Sequence, residues 1–246
     1  MKELKIKTKQ DYDRLKKIIK LYQKQESPEN ALRHKKIINS QQEIVGVSMA
    51  HIRMIAKSIL KAGADEFLNF AKNGAKDEEY FEETLIQGLV IAELKDLKQQ
   101  QNCFDFWVYK IDNWATCDST VSTMKYLKAD KNKKECFDYF FNLCFCKDAF
   151  VSRFGIVVLM TYFLEEEYID RILEMCLKVV SEKYYIQMAQ AWLLSFSFMK
   201  FKQKTEDLFT KKCLSKFVQN KAISKCRDSF QVSLEDKERL KNYRIK

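Results

Sequence analysis

FVSRFGIVVLMTYFL, residues Phe150–Leu164, contains the most apolar run in the chain, and an arginine sits inside it. A guanidinium cannot be deprotonated in a protein and is not buried without partners. Arg153 therefore either snorkels out near a helix end or is aimed at something anionic. A second stretch bears on that choice. YIQMAQAWLL (Tyr185–Leu194) superposes on FVSRFGIVVL (Phe150–Leu159) at an offset of 35 residues, each beginning aromatic, then aliphatic, then polar. Trp114, Arg153 and Trp192 follow one another at intervals of 39 residues. Two-helix repeats of the HEAT and armadillo type run at about 40–47 residues, with shorter variants possible. Such units stack into a curved solenoid, with outer helices on the convex face and inner helices lining the concave one. An inner helix is packed on several sides and reads almost wholly apolar, yet one stripe faces the groove. The repeat places Arg153 on that stripe.

The rest of the chain agrees with an all-helical reading. Five glycines and one proline in 246 residues are too few for the turns of an all-β fold or the strand–helix turns of a doubly wound one. Helical periodicity recurs from end to end. YDRLKKIIKLYQK (Tyr12–Lys24) lines Tyr12, Leu15, Ile18, Ile19 and Tyr22 on one face. SPENALRHKKI opens with a serine cap, Pro28 at the first helical position and Glu29 in the first turn. VSMAHIRMIAKSILKAG closes on Gly63. DEEYFEETLIQGLVIAELKDLK begins acidic and ends basic, in the sense of the helix dipole. Further helices are expected at about 112–127, 131–145, 149–165, 167–181, 183–200, 204–218 and 233–244, in about six pairs.

Composition bounds the function. No run approaches the ~20 apolar residues needed to span a bilayer, and MKELKIKTKQ lacks the apolar core of a signal peptide. A cytoplasmic protein is expected. The eight cysteines include no CxxC, and only His34 and His51 accompany them, so buried free thiols are expected rather than disulfides or a metal site. Net charge is +10, unevenly spread. Residues 1–62 carry 15 Lys/Arg against 6 Asp/Glu, residues 200–246 carry 14 against 6, and residues 63–199 carry 15 against 22. Two basic ends around an acidic middle suit a curved body that grips a polyanion at its rims. No amphipathic stretch with an apolar anchor supports a membrane surface instead.

KIDNWATCDSTVSTMKYL (Lys110–Leu127) bears the chemistry. Asp112 or Asn113 can cap a helix here, which places Trp114 in the first turn and Asp118 one turn further on the same face. An indole beside a carboxylate suits the handling of a cation. The competing reading is a buried tryptophan and an aspartate satisfied by a nearby lysine. Arg153 and Trp192, on helices further along the chain, favour a site over chance.

DNWATCDST, FVSRFGIVVLM, YIQMAQAWLLSF and GVSMAHIRMIAK resemble motifs of the DNA alkylation-repair family, the AlkD-like glycosylases, and the likeness extends to KCRDSFQVSLEDKERLK. The resemblance implies one domain over residues 1–246, folded as a right-handed α-α superhelix of HEAT-like repeats whose concave, basic face holds duplex DNA. It implies hydrolysis of the N-glycosidic bond of cationic N3- or N7-alkylated purines, by a monomer, with no cofactor or metal. Carried across by motif, the catalytic residues are Asp118, Trp114 and Trp192, and Arg153 is the DNA-binding arginine. The chain departs from the family pattern at Asn113, Ala115, Met188 and Ala50. A non-catalytic HEAT-like protein that binds DNA or an acidic protein partner is the alternative expectation.

Overall fold

The computed structural model describes residues 3–73 and 79–246, which include fourteen α-helices and no strand. One isolated bridge joins Glu43 to Tyr80. The fold is all-α, and the chain divides into two compact units, residues 1–126 and 127–246.

The first unit contains α1 (Lys9–Gln23), α2 (Pro28–Ile37), α3 (Met49–Ala62), α4 (Asp65–Asn73), α5 (Phe81–Ala92), α6 (Leu97–Trp107) and α7 (Trp114–Thr123). The second contains α8 (Asp130–Leu143), α9 (Ala149–Tyr162), α10 (Ile169–Lys178), α11 (Tyr184–Lys200), α12 (Lys202–Lys211), α13 (Lys216–Asp228) and α14 (Leu234–Lys241). In the first unit α3, α5 and α7 pack in a row, with α6 against α5 and α4 against α6. In the second, α9, α11 and α13 form a row, flanked by α8, α10, α12 and α14. Each row is the arrangement that stacked two-helix repeats require. From α3 to α13, the odd-numbered helices begin at residues 49, 81, 114, 149, 184 and 216, at steps of 32 to 35. The 35-residue offset read from the sequence is the step between the starts of α9 and α11.

Local chemistry explains the starts. Thr8 and Asp11 form a reciprocal capping box on α1, so the helix begins three residues before Tyr12. Ser27, Asn113, Asp148, Ser215 and Ser233 each accept a backbone N–H in the first turn of the helix they precede. Gly63 ends α3 at φ 94°, a backbone that an L side chain rarely adopts. Asp77 and Glu78, the acidic opening expected for the next helix, lie outside the described residues. The helix itself starts at Phe81.

Two expected helices change shape. The span 204–218 is not one helix. Lys212 turns left-handed at φ 52°, and Ser215 then starts α13. The span 112–127 is α7 followed by a 3-10 turn over Lys125–Lys128. Helices α4 and α6 were not anticipated.

Close helix contact is set by two glycines. A Cβ on Gly88 would lie 2.2 Å from the Trp107 ring and 2.4 Å from Thr120 Oγ1, so its absence lets α5 meet both α6 and α7. A Cβ on Gly155 would lie 2.7 Å from the Phe140 carbonyl oxygen, which brings α9 against α8. Six of the eight cysteines are buried as free thiols, with Cys146 half-buried and Cys213 exposed.

Helix α5 buries charge as well as carbon. Glu82 accepts from the N–H groups of Val45, Gly46 and Val47. Glu83 accepts from the Tyr80 N–H and faces Lys16 at 3.9 Å, while its Oε1 is buried with no partner. Burial raises the Glu83 carboxyl to about 7. A carboxyl raised in the folded state binds more protons than in the unfolded chain, so it lowers stability as pH rises from about 4.5 to 7. Glu83→Gln keeps the capping geometry without the charge. Thermal melts should show the variant stabilised by roughly 2 kcal/mol at pH 8 and little changed at pH 4.5. Equal shifts at both pH values would show that the charge is not the cause.

Candidate functional site

The first unit holds Trp114 and Asp118. Asn113, not Asp112, caps α7, through the Thr116 N–H at 2.9 Å. Asp112 instead fastens the segment before α3 to this end of α7. It accepts from Ser40 Oγ at 2.9 Å and from the Gln41 N–H at 2.7 Å. Thr116, Cys117, Thr120 and Val121 are buried, and α7 packs on α5. Trp114 and Asp118, one turn apart, stay half-buried. The Trp114 Nε1–H donates to the Ile37 carbonyl at 3.1 Å. That carbonyl belongs to the last turn of α2, where no intrahelical donor remains. The indole is thus held by its polar edge.

Helix α3 adds a stripe the sequence reading did not single out. Arg53, Lys57 and Lys61, spaced one turn apart and exposed, line a shallow groove of about 400 Å³. Near the start of the same helix, His51 Nδ1 lies 2.7 Å from Glu26 Oε1 and 3.3 Å from Ser48 Oγ. Hydrogen bonds from Ser48, then His51, hold the Glu26 carboxyl down at about 2. Serine and glutamate address the same ring nitrogen, so this is a helix-start clamp and not a nucleophile relay.

The second unit brings Arg153 and Trp192 into one cluster with residues of α13. Arg153 is only 6% exposed, and its Nη1 donates to the Tyr185 carbonyl at 3.4 Å. Its guanidinium carbon lies 6.0 Å from the Tyr185 ring centroid. Trp192, two turns beyond Tyr185 on α11, is half-buried and meets Phe196 edge-on at 6.2 Å. The Lys225 ammonium of α13 sits 5.9 Å from the Trp192 ring centroid. Burial, then the charges of Lys221 and Arg153, push that ammonium below the usual lysine range, against the opposing pull of Asp228. Helices α9, α11 and α13 thus each contribute to one cationic, aromatic face. Lys221 and Lys225 were missed in the sequence because the expected helix 204–218 ended before them. Their i, i+4 spacing in KAISKCR is the signal that could have found them.

Among the described residues, no group of three or more His, Cys, Asp or Glu could hold a metal ion, and no helix is long and apolar enough to cross a membrane. A family model described as DNA alkylation repair enzyme matches residues 18–226. No curated protein and no solved structure matches the chain significantly.

Proposed function

The chain belongs to the DNA alkylation repair enzyme family, and from that premise we propose that it hydrolyses the N-glycosidic bond of purines alkylated at N3 or N7 in duplex DNA. Such a purine already carries positive charge. It leaves as a neutral base with the electron pair of the broken C1′–N9 bond, and needs no general acid. The sugar left behind has oxocarbenium character. Water adds at C1′ and gives up a proton, the problem that glycosidases solve with carboxylates. Asp118 is assigned to that step, stabilising the cation, orienting the water and accepting its proton. Trp114 and Trp192 offer indole faces to positive charge. Arg153 and Lys225 pair with backbone phosphates. The same proposal takes residues 1–246 as one cytoplasmic, monomeric domain that works without a cofactor.

The observation that carries it is the stacking of an indole and a carboxylate, Trp114 and Asp118, one turn apart on the half-buried side of α7. The test is release of free base from duplex DNA containing N7-methylguanine, with undamaged duplex as control. Release from the damaged duplex alone is expected. Binding without release would assign the chain to the non-catalytic alternative. Affinity should fall about tenfold or more between roughly 50 and 200 mM salt, since each neutralised phosphate releases counterions. Salt-independent affinity would remove the phosphate contacts from the proposal.

A further inference from the structure

The C-terminal half of α11 and the turn joining α13 to α14 enclose a recess of about 470 Å³ in the second unit. Trp192, Phe196 and Met199 of α11 form one wall, and Lys225 and Asp228 of α13 with Phe230 of the turn form the other. Phe230 is fully exposed, at 103%, and Phe196 is 42% exposed. The fold makes no use of the Phe230 ring for packing, yet the ring stands at the edge of a recess already lined by an indole. Aromatic walls with a few convergent polar groups describe a ligand site in chemical terms, and this one combines three aromatic rings, one cation and one carboxylate.

We propose that the recess is a stacking site for a single nucleobase displaced from the duplex, with the phosphate of that nucleotide on Lys225. The inference rests on the duplex-binding reading above and adds an occupant to its second-unit face. Stacking on an aromatic ring suits any base, because every base has a π face. Charge decides the orientation of the nucleotide. Lys221 and Arg153 reinforce Lys225 on one side, and the lowered Lys225 ammonium is what a phosphate would restore. Asp228, on the other side, repels a phosphate and accepts from an exocyclic amine at a base edge. An enzyme acting at a base must meet the cost of unstacking it, and a site that receives a displaced base offsets part of that cost.

The test compares three duplexes of one sequence: fully paired, with one unpaired adenine, and with that unpaired nucleotide made abasic. Wild-type protein should bind the adenine-bulged duplex about tenfold more tightly than the other two, the size of one base–aromatic stack. Phe230→Ala should lose this preference and keep its affinity for the paired duplex, and Phe230→Tyr should restore it. Circular dichroism should show all three proteins folded alike, since the Phe230 ring is exposed. If the abasic bulge binds as tightly as the adenine bulge, or Phe230→Ala retains the preference, the stacking site is wrong and the duplex-binding reading stands. If wild-type protein binds none of the three at low salt, both are wrong.

Discussion

Asp118→Asn should reduce release of N7-methylguanine from duplex DNA by about 10²–10⁴-fold, the range set by removing a positioned acid–base group. The amide keeps the size and shape of the carboxylate, so α7 and its packing on α5 are preserved. What disappears is the negative charge that stabilises an oxocarbenium ion and the base that takes the water proton. DNA should bind the variant equally well or slightly more tightly, because a negative charge has been removed from a surface that meets phosphates. Single-turnover rates at saturating protein, with duplex affinity measured separately, distinguish lost chemistry from lost binding. Unchanged base release by Asp118→Asn would mean that the carboxylate has no part in the reaction.

Trp107→Ala should destabilise the protein by about 3–5 kcal/mol, the cost of emptying a fully buried aromatic site, and lower the melting temperature by roughly 10 °C. Trp107 is 0% exposed, and its Nε1–H donates to the Thr84 carbonyl at 2.9 Å. Its ring also fills the space beside Gly88, which predicts a specific coupling. Gly88→Ala alone forces a methyl group to within 2.2 Å of the indole, an overpacking that costs about 1–3 kcal/mol. In the Trp107→Ala background most of that cost should vanish, leaving the contact with Thr120. Chemical denaturation of the two single variants and the double variant completes the cycle. Simple additivity would show that the glycine is not there to admit the indole.

The parts of the fold legible in the sequence were those whose signals are local. The apolar run containing Arg153 and the matching run containing Trp192 gave α9, α11 and the step between them, since helical period and length need no tertiary information. The break between α12 and α13 was not legible. KKCLSKF contains neither glycine nor proline, and a lysine, Lys212, takes the left-handed position that glycine usually marks. The polar start of α6, LKQQQ, hid a helix whose buried residues Cys103, Phe104 and Trp107 come late in it. The site divides in the same way. Trp114 and Asp118 share a helix face by spacing alone. The placing of Lys225 beside Trp192 and near Arg153 depends on how α9, α11 and α13 pack. Asp112 shows the limit well. Its partners Ser40 and Gln41 are 72 and 71 residues away, so a reading of neighbours sees only a possible cap.

Every one of the twelve residues of α5 is buried, whereas none of the described residues of α2 is. Their amide protons should therefore live on different clocks. Those of α5 exchange with solvent only when the first unit opens as a whole, and those of α2 exchange through small, frequent local openings. Trp114 belongs to both regimes, because its helix leans on α5 while its indole hangs from the last carbonyl of α2. When α2 frays, the ring is released and α7 stays in place. The indole can then swing through rotamer changes in nanoseconds to microseconds, on a backbone that moves only when the unit unfolds.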